Sequence, residues 1–201
     1  MSEEKSGLGY GTIEHTQITI LIIGGTDRGN ESEAVHAALS PRHHSHVYAP
    51  SKTSFFTKFS AAKAVNELNP HIIHAIGLDG AAKSAMTLAN GTDTALVISL
   101  NADDIERHKP KHILRSAAQA GAMVVNEEAH ADKLRSLGVN CDIYVTASPS
   151  MDDRESQRFY LGAIEIVYGR IVDVEKLPEA PLDCDGSQLV SIGGTSLGKK
   201  S

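Results

Sequence analysis

The segment Ile20–Ser32, ILIIGGTDRGNES, decides the fold of this chain. An apolar, β-branched run ends in two glycines, a short polar loop follows, and the loop leads into residues that favour a helix. This order is typical of the first strand, glycine loop and first helix of an α/β sheet. Backbone amides at the amino end of such a helix favour an anion. The alternative is a turn in which glycine merely relieves backbone strain.

Five further apolar runs follow the first, with helix-like segments between them. The predicted strands are Ile18–Gly24, Ser45–Pro50, His71–Gly77, Thr94–Leu100, Gly121–Asn126 and Cys141–Thr146. The predicted helices are Glu31–Leu39, Lys58–Leu68, Gly80–Ala89, Lys111–Ala120 and Glu128–Leu137. Continuously apolar strands that alternate with helices indicate a parallel sheet with right-handed crossovers. The expected fold is α/β: a single Rossmann-like domain whose sheet of about six strands carries helices on both faces.

A long helix is predicted to close the domain over Arg154–Val172, with Asp152 or Asp153 as its cap. Its core-facing stripe is predicted to consist of Phe159, Ala163, Ile166, Val167 and Ile171. Residues 16–175 would form the domain. Residues 1–15 and 176–201 are rich in Gly, Ser, Pro or charge, which predicts flexible ends.

Composition narrows the function classes. The chain has 201 residues, 41% of them hydrophobic, and a net charge of −6. Its 19 Lys and Arg form no basic stripe, which argues against nucleic acid as a partner. No apolar run approaches the ~18 residues of a membrane span, and the first residues lack a signal-peptide pattern. Cys141 and Cys184 have no CxxC partner. A reduced, cytoplasmic protein is therefore expected, with one disulfide between them as the alternative.

The loop does not match the two common nucleotide signatures. Gly24 and Gly29 have the spacing of a P-loop, but Asn30 and Glu31 stand where Lys and Ser or Thr are needed. A GxGxxG dinucleotide fingerprint is absent, and the second strand ends without an acidic residue for a ribose. ATP and NAD are both disfavoured, and no cofactor is predicted. Arg28 could supply a cation to an anionic ligand.

Histidines cluster in RHHSH, where His43, His44 and His46 precede or begin a strand. His44 and His46 would share a strand face, so a surface metal site is one interpretation. A solvated turn is favoured, since no carboxylate or cysteine lies nearby in sequence. No metal site is predicted.

The middle of the chain resembles the N-terminal half of family-4 glycosyltransferases with the GT-B fold. NPHIIHAIG resembles a DVVHAHG strand of that family, TALVISLNADD resembles PLVVTLHGDD, and AGAMVVNEEAHADKLRSLGV resembles ADAVIAVSEALADRLRALGV. These three segments match in order and spacing, within a resemblance that covers roughly residues 18–145. The resemblance implies an acceptor-side Rossmann-like domain whose glycine loop faces the phosphates of a sugar nucleotide.

The ligand-binding residues proposed from the loop, the strand ends and this resemblance form one set. They are Gly24, Gly25, Thr26, Arg28, His74, Gly77, Asp79, Asn101, Asp103, Asp104 and Glu127. Asn101 occupies the position of a family histidine and cannot titrate, and Ile76 replaces the second histidine of the HAHG pattern. At Asn101–Asp104 and at Asp79, capping of the next helix is the alternative to ligand binding.

No donor-nucleotide domain is expected after the sixth strand, since the closing helix resembles the one that returns to the first domain in the family. The chain is therefore expected to be inactive alone, either as the acceptor-side half of a split glycosyltransferase or as a carbohydrate- or partner-binding module. Its partners would be a sugar or nucleotide-sugar, and a donor-domain protein or a second copy. Alternatives are a small nucleotide-binding enzyme of another class and a homo-oligomeric scaffold.

Overall fold

A computed structural model describes residues 17–25, 28–48, 62–63 and 65–172. The predicted flexible ends and Cys184 lie outside these residues. Six strands form one parallel sheet in the order β2-β1-β3-β4-β5-β6. The strands are β1 Thr19–Gly24, β2 His44–Tyr48, β3 Ile72–Ile76, β4 Ala95–Leu100, β5 Ala122–Val125 and β6 Asp142–Val145. All six strand predictions are confirmed to within two residues at each described end.

Helices follow the strands in regular alternation. They are α1 Gly29–Leu39, α2 Gly80–Ala89, α3 Ala102–Arg107, α4 Pro110–Ala117, α5 Glu128–Ser136 and α6 Arg154–Ile171. Residues 62–63 and 65–68 are also helical, within the predicted 58–68 segment. Pro110 begins α4, where its missing amide costs nothing. The short α3 was not among the predicted helices, although a helix cap at its start was.

The helices cover both faces of the sheet. The first face lies under α2, α3, α4 and α5, and its core is formed by apolar side chains such as Ile98, Met123 and Leu134. The second face lies under α1 and α6, and its core includes Ile22 and Val97. The Rossmann-like arrangement predicted from the sequence is therefore present, including helices on both faces. None of the helices among the described residues is long and apolar enough to cross a membrane.

Helix α6 packs back across the second face, capped by Asp153, whose carboxylate accepts a hydrogen bond from Glu155 N at 2.9 Å. The predicted core stripe of this helix was wrong at two positions, because Phe159 and Ile166 are exposed. The buried residues of α6 are Tyr160, Leu161, Ile164, Glu165, Val167 and Tyr168. Glu165, which was not part of the predicted stripe, is one of the side chains that face the sheet.

Candidate functional site

The carboxyl ends of β1 and β3 meet where the order of the chain in the sheet changes direction. From β1 the chain crosses to β2 on one side and then to β3 on the other side. Open α/β sheets bind ligands in the crevice at such a switch point. Gly24, the last residue of β1, pairs with Ile76, the last residue of β3. We call the space bounded by Gly24, Gly25, Arg28 and Gly77 the β1–β3 crevice.

Two glycines of this crevice disfavour a side chain, Gly24 through a steric clash and Gly77 through its backbone conformation. A Cβ on Gly24 would collide with Ser32 Oγ. Gly77 has a φ of +98°, and a Cβ there would lie 3.4 Å from Cζ and Nε of Arg28. Gly25 is open on its outer side, and its carbonyl accepts a hydrogen bond from Arg28 N at 3.1 Å. Thr26, the remaining loop residue of the predicted site, lies outside the described residues.

Arg28 reaches across the crevice to the end of β4. Its Nη2 lies 3.0 Å from Asp104 Oδ2 in an ion pair that is largely withdrawn from water. Asp104 also accepts hydrogen bonds from Leu78 N at 3.2 Å and Asn101 N at 3.0 Å. Because two backbone amides hold the carboxylate in place, Asp104 serves as an anchor that fixes the guanidinium beside Gly77.

A second carboxylate holds Arg28 more loosely. Glu31 Oε2 lies 3.4 Å from Arg28 Nη1, and its side chain is 26% exposed. Burial raises the pKa of Glu31, Arg28 opposes that rise, and the charge of Asp104 adds to it. Glu31 thus carries a proton more readily than an ordinary glutamate. It faces the crevice from the first turn of α1 and was not among the residues predicted from sequence.

The predicted site residues after β4 are divided between capping and exposure. Asn101 caps α3, and its side chain and that of Asp104 form a reciprocal capping box with each other's backbone amides. The capping alternative is therefore confirmed for this pair. Asp103 points to solvent and forms an i,i+4 ion pair with Arg107 at 3.2 Å. The Asn101 side-chain oxygen is taken by Asp104 N at 3.0 Å.

His74 lies inside the protein. Its Nδ1 is 2.7 Å from Tyr168 Oη and its Nε2 is 2.7 Å from Ser99 Oγ, so both ring nitrogens are occupied. The ring of Tyr168 meets that of His74 edge-on, with the centroids 6.0 Å apart. Burial lowers the pKa of His74 to about 3, so the ring is neutral at pH 7. The predicted ligand contact of His74 has no open route, because its side chain is covered by α6.

Tyr160 lies close to this group, also on α6. Its hydroxyl is buried and has no hydrogen-bond partner among the described residues. Burial raises the pKa of Tyr160 well above its usual value; the nearby Ser99 hydroxyl lowers it, and the charge of Glu31 raises it further. The Tyr160 hydroxyl thus lies near Ser99 of β4.

Asp79 and Glu127 lie apart from Arg28. Asp79 precedes α2 and pairs with His108 Nε2 at 2.8 Å. This pair lies at a separate groove of about 740 Å³ between α2 and α4, lined also by Lys83, His112 and Arg115. Glu127 is exposed before α5, and its side chain makes no capping hydrogen bond. The crevice therefore brings together Gly24, Gly25, Arg28, Gly77 and Asp104 from the predicted set.

The RHHSH segment is not the solvated turn that was predicted. His43 is 3% exposed, and its Nε2 lies 3.2 Å from Glu165 Oε1 of α6. Arg42 donates to both oxygens of Glu165, at 3.0 and 2.7 Å. The sequence has no carboxylate next to this segment, and the structure supplies one from Glu165, more than a hundred positions away. In residues 17–25, 28–48, 62–63 and 65–172, no three His, Cys, Asp or Glu side chains are grouped to hold a metal ion.

No protein-family model matches the chain, and no curated protein matches it either. Among solved structures, it is similar to maleylacetate reductase from Agrobacterium tumefaciens, with a TM-score of 0.40 and 10% sequence identity. The likeness covers 65% of this chain and 35% of the length of that protein.

Proposed function

We propose that this chain is a glycosyltransferase-like binding domain that takes a phosphate-bearing ligand of the sugar-nucleotide class in the β1–β3 crevice. The observation that carries the proposal is the convergence of the glycine loop, the amino end of α1 and Arg28 at the switch point of the sheet. Helix amino ends and switch points both favour anionic ligands. The order of motifs shared with the glycosyltransferase family supports the same ligand class.

Arg28 provides the means of binding. Asp104 holds one side of the guanidinium and is itself held by two backbone amides, whereas Glu31 holds the other side at a longer distance. A phosphate oxygen that enters the crevice would replace the Glu31 carboxylate on Arg28. Because burial raises the pKa of Glu31, this carboxylate gives up its charge at modest cost. The crevice then acts as an anion-binding site in which the Glu31 carboxylate competes with the ligand for Arg28.

Binding without transfer is the expected behaviour of this chain alone. Retaining sugar transfer needs a polarised diphosphate leaving group and a closed, dry cleft. Asn101, at the position of the family histidine, is engaged in capping α3. We expect the chain to act as the acceptor-side half of a split enzyme or as a binding module. Turnover of a nucleotide-sugar by the purified chain would contradict this.

Binding is tested by isothermal calorimetry and thermal unfolding with pyrophosphate, UDP, a UDP-sugar, ATP, NAD and the phosphate-free disaccharide maltose. A ligand at 100 times its Kd should stabilise the fold by about 2.7 kcal/mol. We expect UDP and the UDP-sugar to bind and maltose alone not to bind. Binding of ATP or NAD without UDP would instead support the nucleotide-enzyme alternative. If none of the phosphate ligands binds, the proposal fails.

The competitor role of Glu31 gives a sharper test. Glu31→Gln removes the competing charge, so phosphate ligands should bind several-fold more tightly. Wild-type binding should also tighten as the pH falls from 7 to 5, because protonated Glu31 releases Arg28, and the variant should show less of this trend. Asp103→Asn is the matched control, since it removes one exposed carboxylate from neighbouring α3. Equal effects of the two variants would indicate general electrostatics and not a site at Arg28.

A further inference from the structure

The outer surface of α6 carries two large apolar side chains that are not buried by packing within the described residues. Phe159 is 66% exposed and Ile166 is 56% exposed. They are seven positions apart, so they lie on the same side of the helix, one above the other. Between them, a Cβ on Gly162 would meet no atom within 4 Å, and Ala163 is half-buried. We call the exposed surface of Glu155, Phe159, Gly162, Ile166 and Arg170 the outer stripe.

Opposite charges flank the two apolar side chains. Glu155 lies one turn before Phe159, and Arg170 lies one turn after Ile166; both are exposed. At 3.6 residues per turn, these four side chains fall within an arc of about 60°. Arg170 is positioned by Tyr144, whose hydroxyl accepts its hydrogen bond at 3.3 Å and whose ring lies 5.6 Å from the guanidinium carbon.

The outer stripe is complementary to the same stripe on a second, antiparallel copy of α6. Two copies of α6 that cross antiparallel, with the two-fold axis between Gly162 and Ala163, place Phe159 of each copy against Ile166 of the other. The same operation places Glu155 opposite Arg170, at both ends of the contact. A parallel pairing would instead set like charges against each other. The small residues at the centre let the helix axes approach to the usual 8–10 Å.

From this complementarity we propose that the outer stripe binds a second copy of this chain, through an antiparallel, two-fold symmetric α6–α6 contact. A two-fold interface uses the same patch on both subunits, as this one does. One 18-residue helix, about 27 Å long, is a small interface, so the expected dimer is reversible, with a Kd in the micromolar range. The proposal is independent of the ligand proposed for the β1–β3 crevice.

The test is sedimentation equilibrium of the full chain across a concentration series. Wild type should shift from monomer to dimer, and Ile166→Lys should weaken the dimer by at least tenfold, since it sets a charge against Phe159. The charge reversals Glu155→Arg and Arg170→Glu should each weaken it several-fold, and combining them should restore it. Such rescue arises only when residue 155 faces residue 170 of the other copy.

Crosslinking fixes the geometry. With Cys141 and Cys184 replaced by Ser, Ala163→Cys should form a disulfide-linked dimer on mild oxidation, because the two copies meet at the axis. Arg158→Cys, about a quarter-turn away on the helix, is the control and should not. A chain that stays monomeric at every concentration would overturn the proposal, whether residues 173–201 or a different protein cover the stripe. A dimer that tolerates Ile166→Lys, or that the double charge reversal does not rescue, would overturn it equally.

Discussion

The two faces of the sheet are built from different chemistry. Under α2–α5, the core of the first face consists mainly of aliphatic side chains, alanines and Met123, with Tyr48 at one edge. Its helices bury two polar side chains, those of Asp104 and Ser116. Under α1 and α6, the second face buries His74, His43 and Glu165 among its apolar residues. Apolar side chains can repack when a helix shifts on the sheet, whereas hydrogen bonds between buried polar groups form in only one position of the helix. The difference indicates that the first face supplies bulk stability and the second fixes the position of α6.

The largest effect should come from cutting into the first face. Ile98→Ala removes a fully buried side chain in β4 and should lower the free energy of unfolding by about 3–4 kcal/mol. Because Ile98 belongs to a cluster of apolar side chains, the loss should be the same at pH 7 and pH 5.5. Urea denaturation at both pH values measures it. A loss that depends strongly on pH would mean that the stability of the first face, like that of the second, depends on titrating groups.

On the second face, Arg42→Ala should cost about 2 kcal/mol. The change removes two hydrogen bonds to Glu165, whose carboxylate is 5% exposed. The figure is below that of a fully buried pair because the Arg42 side chain is 44% exposed. Chemical denaturation measures the loss, and Arg107→Ala, which breaks an exposed pair with Asp103, is the control and should change little. Equal costs would contradict a structural role for the buried carboxylate.

The second face should also make the fold sensitive to acid. Burial lowers the pKa of His74 to about 3 and that of His43 to about 4, the latter with help from the charges of Arg42 and His44. The folded pKa lies below the ordinary value of 6.5, so below that pH the unfolded chain binds protons that the folded chain does not. The contribution of each neutral histidine to the free energy of unfolding is fully present above pH 6.5. Below that pH it falls by about 1.4 kcal/mol per pH unit for each histidine, until the folded pKa is reached.

His74→Gln isolates this effect. The amide can still hydrogen-bond Tyr168 and Ser99, yet it does not titrate. Between pH 6.5 and 5, the unfolding free energy of the variant should fall less steeply than that of wild type, by about 1.4 kcal/mol per unit. Urea titrations at four pH values within this range supply the slopes. Identical slopes would show that His74 takes up a proton without opening the fold.

The smallest effects should separate two tyrosines on one helix. Tyr168→Phe leaves the His74 Nδ1 without its partner at 2.7 Å and should cost about 1–2 kcal/mol. Tyr160→Phe removes a buried hydroxyl that has no hydrogen-bond partner among the described residues, so it should be neutral or slightly stabilising. Thermal unfolding of the two variants side by side tests the pair. A clear loss from Tyr160→Phe would indicate that the hydroxyl has an unrecognised function in the fold.

The first face was the more predictable from sequence, for a physical reason. Its strands and helices follow a pattern of apolar residues, and that pattern reports burial directly. On the second face, Arg42 neutralises the buried Glu165, and the uncharged His43 ring lies within hydrogen-bond distance of it. Those two residues are separated from Glu165 by 123 and 122 positions. A sequence pattern cannot carry that information, which is why the stripe of α6 was predicted with Phe159 and Ile166 facing inward.

The candidate site divides in the same way. The glycines and Arg28 could be selected from the loop after β1, since local sequence determines that turn. The pairing of Arg28 with Asp104, in the helix that follows β4, joins parts of the chain that are far apart in sequence and had no local signal. Glu31 could have been recognised as a first-turn residue facing the same crevice as Arg28, three positions away. Tyr160 could not, because nothing in its sequence context marks an unpaired hydroxyl.

The antiparallel return of α6 bears on how the chain is made. The helix is the last described element, yet it covers β1 and β3, which are synthesised first. Until residues 154–171 have been added to the nascent chain, only α1 covers the second face, and the apolar surface that α6 later buries is exposed. The fold is therefore complete only once its final described segment has been synthesised. A chain that terminates before residue 154 should expose an apolar sheet face and aggregate, and it should not form a smaller functional domain.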